Sequence, residues 1–388
     1  MCGSTGLPRC GRSQRYSQHY RVAIPKFVGG ESASSVPRGS AVLDVAPSPL
    51  AEPRHPVRRT GWRRPAILAA LVAGILFVAM LSLMIGARTV SPGTITDAVL
   101  GGMTGTDAVV VRTLRLPRTL LAISVGVALG VGGALIQAIT RNPLADPGLI
   151  GVNAGASLMV VLSITALGWS GVLATTGAAV LGAALALVVV LLMTMRRAFS
   201  PLVVVLVGTA FSATVGGVTS GLLILDSGAL DQVRFWSIGS LTGRDPELVW
   251  PSAAIVAVAV VIALSTAVPL ATLAMGEQMA ATLGTSVVRT RVVVLCAVAL
   301  LCGAATAAAG PIGFVGLAVP YLARRLSRGD VRWTLAYAAA IGALVLLVAD
   351  IAGRVVIRPA ELEVGVVAAL VGAPLLIVIA RTSRGARL

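Results

Sequence analysis

The sequence predicts an all-α polytopic membrane protein with about ten transmembrane helices. Three observations carry this reading. The 388 residues are 56% hydrophobic and 12% charged, where a soluble domain carries roughly 25% charge. Mean hydropathy is +0.93. The chain also repeats long stretches without Asp, Glu, Lys or Arg, each near the ~20 residues that a helix needs to cross a bilayer core.

Taken in order, residues 1–64 form a first unit. They hold eleven Lys/Arg against Glu31, Asp44 and Glu52, half of the chain's net charge of +16. Rich in Ser, Gly, Pro and Arg and without periodicity, this tail reads as a disordered, basic cytoplasmic segment. It has no apolar run long enough for a signal-peptide core. Part of it is also compatible with an over-long start site. The membrane-spanning body is expected over 65–388. Uncharged stretches at 65–87 and 119–140 give one span each, and 147–195 gives two, parted near Gly168–Gly171. Stretches 198–225 and 248–276 give one each. The run 292–323 is split into two by "AGPIGFVG" (309–316), and 333–349 and 364–380 complete the ten.

Arginines set the expected orientation. With the N-terminus inside, the inner segments carry Arg58, Arg59, Arg63 and Arg64, then Arg141, Arg196, Arg197, Arg289 and Arg291, and further clusters at 324–332 and 381–387. The outer segments carry half as many and offset them with acids such as Asp245, Glu247, Glu361 and Glu363. The bias puts both termini in the cytoplasm. Trp62 and Trp333 fall at the inner boundary, and Trp169, Trp236 and Trp250 at the outer one. Because the charge flanks apolar runs without a basic-aromatic platform, nucleic-acid binding is a poor reading.

No ionisable residue lies deep in any predicted span, and Asp350 sits at an outer end. Ion-coupled carriers usually place such a group near the midplane, although unwound backbone can bind sodium without one. The absence favours a pathway driven from outside the chain, with an ion-coupled secondary transporter as the alternative. No G-x-x-x-x-G-K-[ST] is present, so ATP hydrolysis has to come from another chain and this one is non-catalytic. Cys2, Cys10, Cys296, Cys302, His19 and His55 have no metal-ligand spacing. No metal or other cofactor is expected.

Four local patterns stand out. Gly208, Ser212, Gly216 and Ser220 recur every four residues and share a helix face. On spacing alone, close helix packing outweighs a pathway wall. Gly126, Gly130 and Ala134 make a similar stripe in the second span, which also holds Gln137. Arg112, Arg115 and Arg118, in "VRTLRLPRTLL", are spaced by three on the side expected to be outer. They suit either lipid phosphates or an acidic external partner. Residues 270–291, "LATLAMGEQMAATLGTSVVRTR", look like a short inner helix closed by glycine, either a linker or a segment that docks into another protein. "RNPLADPGLIG" (141–151) joins the second and third spans. There Pro143 and Pro147 stop helix propagation, and Gly148 and Gly151 allow tight packing.

Four stretches together resemble the FecCD-type permeases of ABC importers, which move iron–siderophore complexes, haem or cobalamin. They are "RLPRTLLAISVGVALGVGGALIQAITRNPLADPGLIGVNAGA" (115–156), "MGEQMAATLG" (275–284), "AGPIGFVGLAVPYLARRL" (309–326) and "LVADIAGRVVIRPAELEVGVVAALVGAPLLI" (347–377). The resemblance covers roughly 65–385 and not the tail. It implies a membrane-spanning permease subunit of the cytoplasmic membrane that translocates a metal chelate by alternating access. Ferric siderophore is the expected cargo, and cobalamin or haem the alternative. Its implied partners are ABC ATPase subunits inside, an extracytoplasmic solute-binding protein outside, a second permease subunit (homo- or heterodimer) and membrane lipid. The resemblance assigns binding-protein docking to Arg115, Arg118 and Arg354, and ATPase coupling to the Glu277, Ala280, Ala281 and Gly284 segment. It moves the Gly208/Ser212/Gly216/Ser220 face toward pathway lining, and Asn142, Leu144, Ser200 and Pro201 toward a cytoplasmic gate. The sequence departs from the family at Pro320-Tyr321, where Pro-His is common, and at Ser200-Pro201, where Ser/Thr residues are common.

Overall fold

The computed structural model describes residues 62–384, except 87–89, 92, 94, 97, 99–105, 170, 196–200, 226–229, 231, 232, 234, 235, 358 and 359. Most of the basic tail and Ser200 therefore lie outside the described residues. Each of the ten apolar stretches contains a helix. These are α1 (Arg63–Met84), α2 (Leu116–Thr140), α3 (Val152–Thr165), α4 (Val172–Met195), α5 (Pro201–Leu225), α6 (Val249–Ser265), α7 (Val287–Ala309), α8 (Val315–Ser327), α9 (Val331–Val356) and α10 (Val364–Arg384). Seven helices among the described residues are long and apolar enough to cross a membrane, and α3 and the apolar part of α10 are shorter. At 13 residues, α8 is shorter still.

Local chemistry sets the ends. The Asp330 side chain accepts from the N–H groups of Arg332 and Trp333 and starts α9, and Ser286 does the same for Arg289 at α7. Such caps satisfy donors that a helix start leaves unpaired. The α7 helix stops at Gly310, whose φ of 75° suits glycine.

Most of α2 and α7 is buried, while α1 and α5 are the least buried of the long helices. Small residues let α2 approach its neighbours. A Cβ at Gly126 would overlap the backbone of Gly342 on α9, one at Gly130 would meet Ala338, and one at Gly133 would collide with Gly316 on α8. Gly126 and Gly130 thus face Ala338 and Gly342, two small-residue pairs at matching four-residue spacing, so this stripe is a packing seam. Gly155 on α3 and Gly182 on α4 make another such crossing.

Two expectations about the boundaries change. Trp236 is buried and its carbonyl lies against Gly310, so it is a core residue and not an interfacial anchor. The ninth helix runs past Asp350 to Val356. It can do so because two arginines neutralise that carboxylate inside the bundle.

Candidate functional site

Three places in the bundle concentrate polar chemistry in an otherwise apolar chain. The first is the end formed by the α1 C-terminus, the α2 N-terminus and the α9 C-terminus. A short helix, Thr106–Val110, and one widened turn, Val111–Arg115, lead into α2. The Arg115 guanidinium is buried and donates to the carbonyls of Leu83 (2.7 Å) and Met84 (3.1 Å). Arg354, also buried, donates to the carbonyls of Ser82 (2.9 Å) and Ile85 (3.3 Å) and to Ser82 Oγ (3.2 Å). Together they satisfy the carbonyls that the end of α1 leaves without partners.

Asp350 holds this end together. It pairs with Arg354 one turn along α9 and with Arg118 on α2 at 2.8 Å. Arg118 also reaches Glu361 at 2.7 Å, and Thr242 donates to the same Glu361 oxygen at 3.1 Å. Partial burial raises the Glu361 carboxyl, but the bonds and charge of Arg118, with Thr242 and Arg354, outweigh it and hold the group below the usual carboxylate range. Nearby, burial pulls the Arg244 guanidinium down to about 10 despite the attraction of Glu363. Arg112 donates to the Ala98 carbonyl.

The second place is the opposite end, where 141–151 meets the short segment between α6 and α7. Asn142 Oδ1 accepts from the Leu144 N–H at 3.0 Å, closing a turn, and the Leu144 side chain is exposed. Asp146 Oδ1 accepts from the Gly148 N–H at 2.7 Å. A Cβ on Gly316 would lie 3.1 Å from Pro147 Cδ and 3.3 Å from Asp146 Oδ2. The carboxylate therefore sits where the N-termini of α3 and α8 converge, at the favourable end of both helix dipoles. Gly151 (φ 91°) lies against Phe211 and Ser212 of α5, so the loop touches the helix expected to line a pathway.

The same loop reaches the expected coupling segment. Arg141 donates to the carbonyl of Leu273, in the short helix Ala267–Ala274, which leads through Gly276 (φ 119°) into the helix Glu277–Thr282. Glu277 pairs with Arg291 of α7 at 2.5 Å. Ala280 is fully buried, Ala281 is exposed, and Gly284 (φ 77°) closes the helix. Met275, Met279 and Leu283 are exposed, so this polar-flanked segment presents an apolar face with no partner among the described residues.

The third place is α5. Gly208 is buried, Ser212 and Gly216 are half-buried and Ser220 is exposed. Ser212 Oγ donates to the Gly208 carbonyl at 2.8 Å, which satisfies the hydroxyl within its own helix. A Cβ at Gly216, Gly217 or Gly221 would meet nothing within 4 Å. Packing among the described residues thus gives no reason for those glycines.

The structure draws Arg115, Arg118 and Arg354 into one cluster. It turns Arg115 and Arg354 inward, leaving Arg118 and Glu361 nearer the surface. It brings the loop of Asn142 and Leu144 against the helix Ala267–Ala274 through Arg141. Pro201 is the first residue of α5. Sequence reasoning missed the roles of Ser82, Asp350 and Arg141. For Asp350 the signal was present, an acid one helical turn before Arg354. Gln137 also gains a role, accepting from Arg324 and donating to the Leu317 carbonyl at 3.2 Å.

Comparison with known proteins agrees with this arrangement. The FecCD transport family model matches residues 68–382. The ferric enterobactin transport system permease protein FepD of Escherichia coli (strain K12) is 40% identical over 329 residues, covering 83% of this chain and 97% of that protein. The probable siderophore transport system permease protein YfiZ of Bacillus subtilis (strain 168) is 39% identical over 291 residues, covering 73% and 85%. A solved inward-facing conformation of a chain assigned to the metal-chelate type of ABC transporter superposes with a TM-score of 0.72 at 27% identity, covering 82% of this chain and 99% of that one. With a helix in each of its ten apolar stretches, a buried arginine network at one end and a family match over 68–382, this chain belongs to the FecCD transport family.

Proposed function

We propose that the chain is the membrane-spanning permease subunit of an ATP-driven importer of a metal chelate, with ferric siderophore as the cargo. The observation that carries this is the family match over 68–382 together with relatives named for ferric enterobactin and siderophore transport. Both termini lie in the cytoplasm, in keeping with the charge bias. The segment around Glu277, Ala280, Ala281 and Gly284 couples to a separate ATPase subunit. Its exposed Met275, Met279 and Leu283 support this, being the kind of apolar face that inserts into a groove. A second permease subunit faces α5. The unfilled space at Gly216 supports an aqueous pathway there, lined by Gly208, Ser212, Gly216 and Ser220. The loop with Asn142 and Leu144, together with Ser200 and Pro201, forms the cytoplasmic gate.

Binding-protein docking falls to Arg118, with Glu361 beside it, while Arg115 and Arg354 hold the surface from below. Arg118→Glu is expected to weaken binding-protein affinity at least about ten-fold, because it places like charge against an acidic partner, and, since it also sets a carboxylate beside buried Asp350, to lower the apparent Tm while membrane insertion stays intact.

The decisive experiment is reconstituted uptake of a ferric siderophore with ATP, the ATPase and the binding protein. Uptake is expected only with all three present. Uptake driven by an ion gradient without ATPase or binding protein would favour the secondary-transporter reading and overturn this one.

A further inference from the structure

A groove of about 530 Å³ runs between the N-terminal turns of α1 and the C-terminal turns of α8, away from the three places described above. Arg63, Arg64, Arg325 and Arg328 rim it, and Ile67 and Leu326 contribute to an apolar floor. Asp330 pairs with Arg64 at 2.7 Å. Arg325 donates to the Tyr321 hydroxyl at 2.5 Å and stacks over its ring at 4.8 Å. Among the described residues Arg63, Arg325 and Arg328 have no carboxylate partner, so the rim keeps a clear positive excess. The start of α1 adds to it, with no side-chain cap and no acidic residue in its first turn, which leaves the positive end of the helix dipole unopposed.

We propose that this groove binds an anionic phospholipid, with its phosphate among the arginines and an acyl chain along α1. Charge complementarity selects the head group, since basic pockets between spanning helices favour anionic lipid. The apolar floor selects a molecule with a chain over a free anion. It is continuous with the outer flank of α1, where Val72, Leu76 and Phe77 are exposed, as expected of a surface bathed in hydrocarbon. Exposed Trp62 and half-buried Trp333 put interfacial aromatics at the same level. The chain's own first 61 residues are a poor occupant, because they hold nine Lys/Arg and three acids and would meet like charge.

The test uses the full chain purified in neutral detergent and offered phosphatidylglycerol, phosphatidylcholine with the same acyl chains, or inorganic phosphate, with bound lipid counted by native mass spectrometry. Phosphatidylglycerol is expected to be retained over phosphatidylcholine, and phosphate is expected not to displace it. Arg63→Gln/Arg325→Gln should lower that retention about 30-fold. Arg63→Lys/Arg325→Lys should keep most of it, which separates lost charge from lost fold. Arg332→Gln, a neighbouring change outside the rim, should have no effect. Equal retention of the two lipids, displacement by phosphate, or unchanged retention in the double Gln variant would overturn the proposal.

Discussion

Asp350 is fully buried between Arg118 and Arg354, and replacing it by Asn removes the charge that both share, leaving Arg118 to Glu361 and Arg354 with no paired carboxylate among the described residues. Breaking a buried ion pair from one side leaves an uncompensated charge and typically costs about 3–5 kcal/mol. Asp350→Asn is therefore expected to lower the apparent Tm of the purified chain by many degrees and to loosen the end of α1, because Arg354 would turn from the Ser82 and Ile85 carbonyls. Glu361 gives the contrast. Its side chain is 37% exposed, so Glu361→Gln should cost about 0–1 kcal/mol. Arg118, Thr242 and Arg354 hold its folded pKa below the ordinary value, so its small contribution is present above about pH 4.3 and is lost as the pH falls through the depressed value. A melt of wild type and Glu361→Gln that converged only as the pH rose would contradict that sign. These roles were half legible in the sequence. The Arg115 and Arg118 spacing announced a cluster. That Arg115 caps α1 depends on a helix more than 30 residues away, which local spacing does not encode.

Glycines separate two kinds of helix surface among elements. Gly126 and Gly130 touch α9 with no room for a methyl group, whereas Gly216 faces open space. Gly126→Leu should wedge α2 from α9 and give a chain that aggregates on extraction. Gly216→Leu should extract and melt like wild type, yet fail in reconstituted uptake because the added side chain intrudes on the pathway. Loss of thermal stability in the second variant would mean that α5 is a packing element instead. Both stripes looked alike as sequence, since four-residue spacing records only that a face is small. What distinguishes them is the neighbour, a three-dimensional property. Helix number and order were legible because an apolar length of about 20 residues is a nearly sufficient condition for a span. The short α3 and α8 were less so. Their N-termini converge on Asp146 and Pro147, and the "AGPIGFVG" break signalled an interruption without saying where the chain would turn.

At the scale of the whole molecule, the segment facing the proposed ATPase and the loop beside the proposed pathway are linked by the hydrogen bond from Arg141 to the carbonyl of Leu273. The loop continues to Gly151 against Phe211 and Ser212, giving a short physical route from Glu277–Thr282 to α5. The sequence marked both ends of that route, as "RNPLADPGLIG" and "GEQMAATLG", but they stand over 130 residues apart and nothing in either string shows that they touch. Arg141 also adopts a left-handed backbone conformation, φ 50°, which costs a non-glycine residue roughly 1 kcal/mol or more. Arg141→Gly is consequently an informative substitution. It relieves that cost and removes the whole side chain with its bond to Leu273, so if that bond plays no part in coupling, transport should stay normal. If the contact transmits ATPase movement to the gate, the variant should assemble and hydrolyse ATP at an undiminished rate while ferric siderophore uptake per ATP falls about ten-fold, corresponding to the loss of roughly 1.4 kcal/mol of coupling. Uptake per ATP equal to wild type in the same proteoliposomes would remove Arg141 from the route and leave the contact as simple packing.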